Sequence, residues 1–393
     1  MSQINVAMIG QGFMGRSHSN AWGQVGKFFR PQVSPVKHTV FGMEQEHPEI
    51  FAANWGWQHS STNWETTIEN PEIGLVDIVT PNFMHTPPAL KALEVGKPVA
   101  CEKPISATLS EARDMAEMAD AKKLPTFVWF NYRRAPAVAF AHQLVKSGAL
   151  GQILHVRASY LQDWGGPSVP YAWRFEKKLA GSGAHGDLNA HIVDLTRFVT
   201  GEEITEVVGA IAETFVKRRK IPSAISTGGL GDGVADTEQW GEVTVDDTVL
   251  FLARFSGGAV ASFEAARQAT GNSNRNQFEI NGTLGAIKFD FERMNELQYY
   301  DARLPREVQG WSTVLCTHGG AHPYVGNWWP DGHLIGYEHC FTNMAYDILR
   351  VLAGESPTVP LPDFRDAYQT QRVLEAALLS AERRGPVAIE DVK

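Results

Sequence analysis

Residues 181–194 read GSGAHGDLNAHIVD. Asp187 and His191 are four apart and Asp194 follows three later, so on a helix they share one face, while Gly181, Gly183 and Gly186 permit close backbone approach beside it. An imidazole titrates near a pKa of about 6.5, and a neighbouring carboxylate can orient it, which is the equipment of a general base. A satisfied histidine at a helix–helix contact has the same spacing. His185 and Asp187 add further potential ligands, but no H-E-x-x-H or Cys/His cluster accompanies them, so no metal is expected. Nucleophilic catalysis has no support either, because G-x-S-x-G is absent and Cys101 falls inside an apolar strand.

A second constellation opens the chain. Residues 10–15 are GQGFMG, placing Gly10, Gly12, Phe13, Met14 and Gly15 directly after the apolar run Ile4–Ile9 and at the start of a helical pattern. The glycines permit the tight turn, and the helix N–H groups then face a pyrophosphate. The acid that would hold the adenosine ribose is displaced by an insertion bearing Phe28, Phe29, Pro31 and Pro35, which leaves Glu44 and Glu46 as candidates. No Arg or Lys follows that strand to hold a 2′-phosphate, which favours NAD over NADP. In open α/β sheets ligands sit at the carboxyl ends of strands. Two such ends carry Thr80, Pro81, Asn82 and His85, and Glu102, Lys103 and Pro104. A lysine fixed at that edge is placed to reach substrate.

Holding these groups requires two kinds of sheet. Through the first third, strands at 4–9, 38–43, 75–80, 98–102 and 126–130 alternate with helical patterns, which predicts a doubly wound parallel sheet of Rossmann type over residues 1–128. After 153 come long alternating runs, TEVVGAIAETFV, TVLFLARF, AVASFEAARQ, NQFEINGT and GAIKFDFE among them. They predict an α+β domain over 129–393 with a large, open, mostly antiparallel sheet. Gly228 to Gly233 reads as a loop, Lys217 to Lys220 as a solvated basic loop, and Phe341 to Arg384 as helical.

The 393 residues fit two domains, and 43% hydrophobic content fits a folded chain. A formal charge of -9 disfavours nucleic acid and anionic lipid as partners. No secretory leader pattern or run of about 20 apolar residues appears. The odd set Cys101, Cys316 and Cys340 fits a reducing compartment, so the expected location is cytoplasmic.

GQGFMG, PNFMH, the EKP of 102–104 and GSGAHGDLNAHIVD together resemble the glucose-fructose oxidoreductase/inositol dehydrogenase (Gfo/Idh/MocA) family over nearly the whole chain. FNYRRAPAVA, SYLQDW, WRFEKKLAGSGA and THGGAHPY are similar to its pyranoside 3-dehydrogenases. The resemblance implies Lys103 and His191 as catalytic residues with Asp187 beside them, and a homo-oligomer, a dimer or tetramer, in which the second sheet buries the interface. Asn131, Tyr132, Arg133, Tyr160, Gln162, Trp164, Trp173 and Arg174 supply the amides, cations and aromatic faces that a sugar needs, and His185 stands where the family often has a small or apolar residue. The expected reaction is NAD-dependent oxidation of a secondary hydroxyl, at C3, of a pyranose or anhydrosugar. An NAD-dependent glycosidase working by transient C3 oxidation, with Tyr132, Tyr160 or His185 as base near C2, and a catalytically inactive NAD-binding regulator are the alternatives.

Overall fold

The structure is a computed structural model that describes residues 2–223 and 237–393. The loop expected at 228–233 lies outside the described residues. The chain forms two compact units, residues 2–131 with 336–368, and 132–223 with 237–335 and 369–393. A division near residue 128 separates the two sheets, but the segment 336–368 belongs with the first.

In the first unit the order is β1 (Ser2–Ile9), α1 (Gly12–Phe28), β2 (Val33–Phe41), α2 (Pro48–Trp55), β3 (His59–Ser61) and α3 (Trp64–Glu69). It continues with β4 (Ile73–Ile78), α4 (Thr86–Glu94), β5 (Val99–Cys101), α5 (Leu109–Lys122) and β6 (Thr126–Val128). The strands form one parallel sheet, β3-β2-β1-β4-β5-β6, doubly wound as the alternation predicts. Val6 to Ile9 and Leu75 to Ile78 are buried because helices cover both faces. The strand order turns back between β1 and β4, which opens a crevice at their carboxyl ends.

One boundary differs from expectation. β2 starts at Val33, so Pro35 lies within it rather than delaying it. β3 pairs only with Thr39–Phe41, so the outer edge beside Pro35 is unpaired, the kind of place where a strand tolerates a proline.

The second unit contains α6 (Pro136–Lys146), β7 (Ile153–Leu161), α7 (Lys177–Ala180), α8 (Ala190–Thr200), β8 (Ile204–Glu213), β9 (Arg218–Lys220) and β10 (Trp240–Glu242). Then follow β11 (Thr248–Phe255), β12 (Val260–Ala266), β13 (Arg275–Gly282), β14 (Gly285–Asp290), β15 (Glu296–Asp301), β16 (Ser312–Leu315) and β17 (Val387–Ala388). Its nine-stranded sheet runs β16-β15-β14-β13-β7-β12-β11-β8-β17, antiparallel except for β7 beside β12. On β11, Val249, Phe251, Ala253 and Phe255 are buried while Leu250, Leu252 and Arg254 are exposed, so one face packs inward and the other is open.

The basic run is not a solvated loop. Arg218–Lys220 pairs with β10, and Arg219 is wholly buried, donating to the carbonyls of Gly165 and Gly166 at 2.6 and 2.7 Å over the Phe175 ring. Burial lowers its pKa to about 10, with Asp247 opposing that shift. The C-terminal helical stretch is two helices, Tyr337–Leu352 and Phe364–Arg383, separated where Gly354, Pro357, Pro360 and Pro362 interrupt the pattern.

Candidate active site

In the first unit, β1 ends at Ile9 and the chain turns through Gly10 (φ +113°) and Gly12 (φ +71°) into α1. A Cβ on Gly10 would lie 2.9 Å from the Thr80 backbone nitrogen, so only glycine lets the turn after β1 approach the turn after β4. A Cβ on Gly15 would touch the ends of Met8 and Phe51 at 3.4 Å, which lets α1 pack close to the sheet. Phe13 and Met14 occupy the first turn of α1, and Phe13 is exposed beside Tyr337. Two buried polar atoms at this turn, Gln11 Nε2 and Thr80 Oγ1, have no hydrogen-bond partner among the described residues. This open hydrogen-bonding capacity around a glycine cradle fits a dinucleotide. At the end of β2, Glu44 is exposed, whereas the Glu46 carboxylate accepts the Met43 N–H at 2.8 Å and caps its own turn.

Pro81 and Asn82 begin the short turn after β4. His85 is 1% exposed, with its Nε2 2.8 Å from the Thr80 carbonyl oxygen and its Nδ1 3.0 Å from that of Pro104, one of which accepts the N–H of a neutral ring. The ring thus spans the two strand-end loops, and burial lowers its pKa. Glu102 is also buried, and its Oε2 accepts the Lys103 N–H at 3.0 Å. Lys103 follows, half-buried.

In the second unit, 181–200 is not one regular helix. His185–Asn189 is a π-helical turn that continues into α8. Asp246 anchors its start, accepting the N–H groups of Gly183 and His185 at 2.8 Å each, and a Cβ on Gly183 would collide with the Asp246 carbonyl. The wider turn alters the expected common face. Asp187 pairs with Arg267 at 3.1 Å. Asp194 instead forms a buried two-point pair with Arg133, whose guanidinium also lies 5.0 Å over Phe198. Arg133, expected to contact the sugar, is held here by this ion pair.

His185, also expected to contact the sugar, opens the π-helical turn. It is wholly buried, with Nε2 bonded to the Leu374 carbonyl and Nδ1 to Asn189, both within 2.9 Å, and burial lowers its pKa. His191 differs, since its ring stacks on Tyr132 at 4.4 Å and stands 5.7 Å from Tyr160. From there a polar chain extends: the Tyr132 and Tyr160 hydroxyls are 3.1 Å apart, Tyr160 and Gln162 both donate to Asn274 Oδ1 at 2.7 Å, and Trp164 donates to Gln162 at 2.7 Å. Arg174 covers the Trp173 ring and Arg267 the Trp164 ring. Burial lowers the Arg174 pKa, countered by Asp187.

Sequence reasoning named neither Arg267 nor Asn274. Each lies in or beyond a strand run whose alternation gives no functional signal. Among the described residues no group of three His, Cys, Asp or Glu side chains could hold a metal ion.

Residues 4–130 match the oxidoreductase family, NAD-binding Rossmann fold, and residues 138–288 match the GFO/IDH/MocA C-terminal domain. Levoglucosan dehydrogenase of Pseudarthrobacter phenanthrenivorans is 39% identical over the full length of both chains. A solved levoglucosan dehydrogenase in complex with NADH and levoglucosan is 37% identical, with TM-score 0.90, over 99% of this chain and all of that one. An oxidoreductase domain protein from Kribbella flavida is 43% identical, with TM-score 0.91, over 99% and 100%. With a glycine cradle in a parallel sheet, a second open sheet and these full-length likenesses, the chain belongs to the Gfo/Idh/MocA family of NAD-binding oxidoreductases.

Proposed function

We propose that this oxidoreductase oxidises a secondary hydroxyl, at C3, of a pyranose sugar or anhydrosugar with NAD. The observation that carries the reading is the His191 imidazole stacked on Tyr132, at the head of the chain Tyr132–Tyr160–Asn274–Gln162–Trp164. Hydroxyl, amide and indole groups alternating with aromatic faces suit a sugar, which offers hydroxyls around an apolar ring. The glycine turn, Thr80, Asn82 and Glu44 are the groups assigned to the dinucleotide. When bound, NAD supplies the acceptor for the hydride that leaves the carbinol carbon. His191 takes the hydroxyl proton, and the Lys103 ammonium orients that hydroxyl and stabilises the developing charge on its oxygen. Asp187, held by Arg267, receives a neighbouring hydroxyl. Tyr132, Gln162, Trp164, Trp173 and Arg174 set the ring's orientation, with Asn131 completing the polar lining.

The open face of the second sheet supports a homo-oligomer, dimer or tetramer, through a second copy of the same face. Ile211, Leu250, Leu252 and Val260 are exposed on it, with Arg157, Glu279 and Lys288 around them. Three free, buried cysteines suit a cytoplasmic protein.

Purified protein incubated with NAD or NADP and a panel of anhydrosugars, glycosides, free aldoses and inositols tests the reaction. The reading expects net NADH formation with a pyranose or anhydrosugar and little with NADP. Released aglycone without NADH would identify a hydrolase, and NAD binding without turnover of any sugar would identify a regulator.

A further inference from the structure

Behind the strand end that carries Lys103 lies a buried charge cluster with no role in the assignment above. His18, on α1, is 0% exposed. Its Nδ1 is 2.9 Å from Asp77 Oδ2 on β4, and its Nε2 is 3.0 Å from Glu102 Oε1 beyond β5. Asp77 also accepts the indole N–H groups of Trp22 at 2.7 Å and Trp129 at 2.9 Å. A neutral imidazole donates from one nitrogen only and would turn a lone pair toward the other carboxylate, whereas an imidazolium satisfies both. Burial pulls the His18 pKa down, but Asp77 and Glu102 outweigh it and raise it to about 9. The rings of Trp129 and Phe341 cover the imidazole at 4.2 and 5.4 Å and carry no charge, so Asp77 and Glu102 are the ionisable groups that face it.

The Glu102 carboxylate has two oxygens with different partners. Oε1 meets His18, and Oε2 accepts the backbone N–H of Lys103 at 3.0 Å. One rigid group therefore joins the helix after the glycine turn to the main chain of the lysine. Asp77, fixed by two indoles, holds the other side of the imidazole.

We propose that His18 is a positioning residue that, through Glu102, fixes the main chain of Lys103, so that the first helix and the lysine are set as one unit. The proposal rests on the assignment of Lys103 to the reaction, but its structural part is measurable without a substrate. Catalysis by a positioned group is sensitive to displacements of about 1 Å, which cost up to roughly 10²-fold in rate.

The test uses the full chain carrying His18→Gln or Glu102→Ala, each alone and with Lys103→Ala. Hydrogen exchange read by mass spectrometry over residues 99–106 should show lost protection at the Lys103 amide in both single variants. With a substrate from the panel, kcat should fall by about 10- to 100-fold, with the NAD Kd unchanged. The fall should vanish in the Lys103→Ala background, because the effect passes through that side chain. An equal fall with and without Lys103, or unchanged exchange at Lys103, overturns the proposal. If neither variant folds, the wild-type chain decides: the Lys103 amide protection factor should drop between pH 7 and 10 as His18 loses its proton, and a flat profile overturns it. Absence of sugar turnover by the wild type would count against the proposed reaction alone, since the exchange measurement still reads the link from His18 to Lys103.

Discussion

The three histidine rings meet different surroundings. His185 and His18 are buried with both ring nitrogens hydrogen-bonded inside the protein, and the His191 imidazole stacks on Tyr132, whose hydroxyl meets that of Tyr160. His191→Ala should therefore cost about 10²- to 10⁴-fold in kcat while NAD affinity, measured by calorimetry, stays the same. Unaltered kcat would remove His191 from the reaction. Arg133→Ala should act differently, through stability, because it strands Asp194 buried without its cation, a loss of about 3–5 kcal/mol readable as a lower denaturation midpoint. The His18 cluster makes stability depend on pH. Its folded pKa, about 9, lies above the ordinary 6.5, so its contribution is full below pH 6.5 and is lost as pH rises through about 9. The Tm difference between the wild type and His18→Gln should shrink over that interval.

At the level of elements, the strand-to-helix turn at Gly10 and the π-turn before α8 are the two local structures that aim the proposed groups. Both depend on a glycine for want of space. At Gly183 a Cβ would sit 1.8 Å from the Asp246 carbonyl oxygen, so Gly183→Ala must push the π-turn away from its anchor. Overpacking of this kind costs about 1–3 kcal/mol and should lower kcat together with Tm, since the turn leads directly to His191. Retained activity with a lowered Tm would separate the turn from the chemistry. The glycine at 10 was legible because the fingerprint's context, a strand before and a helix after, fixes its purpose. The π-turn was not, because i, i+4 spacing on paper assumes 3.6 residues per turn, and nothing in GSGAHGDLNAH announces the wider one.

For the whole molecule, the open sheet face sets the question of assembly. Strand alternation in TVLFLARF and AVASFEAARQ sends Leu250, Leu252 and Val260 outward as faithfully as it sends Phe251 and Phe263 inward. A contiguous apolar ladder on a free sheet face is what a partner surface looks like. Leu252→Glu should convert an oligomer to a smaller species by light scattering, leaving the far-ultraviolet circular dichroism intact. An unchanged mass, or a monomeric wild type, would refute the second-copy interface. No described helix is long and apolar enough to cross a membrane.

The sequence by itself determined the parallel first sheet, the alternating second one, the glycine turn and the strand ends that carry Thr80 and Lys103. All of these follow from periodicity and from residues whose backbone freedom is local. Only the tertiary structure decided which polar side chains neutralise one another. Arg133 with Asp194, Arg267 with Asp187, and His18 with Asp77 and Glu102 are separated by 61, 80, 59 and 84 residues. The one trace of the last cluster in the sequence is the carboxylate of Asp77 within the apolar strand IGLVDI. A charge buried there must find partners, but periodicity cannot say which, because pairing is fixed by distances in space that spacing along the chain does not encode.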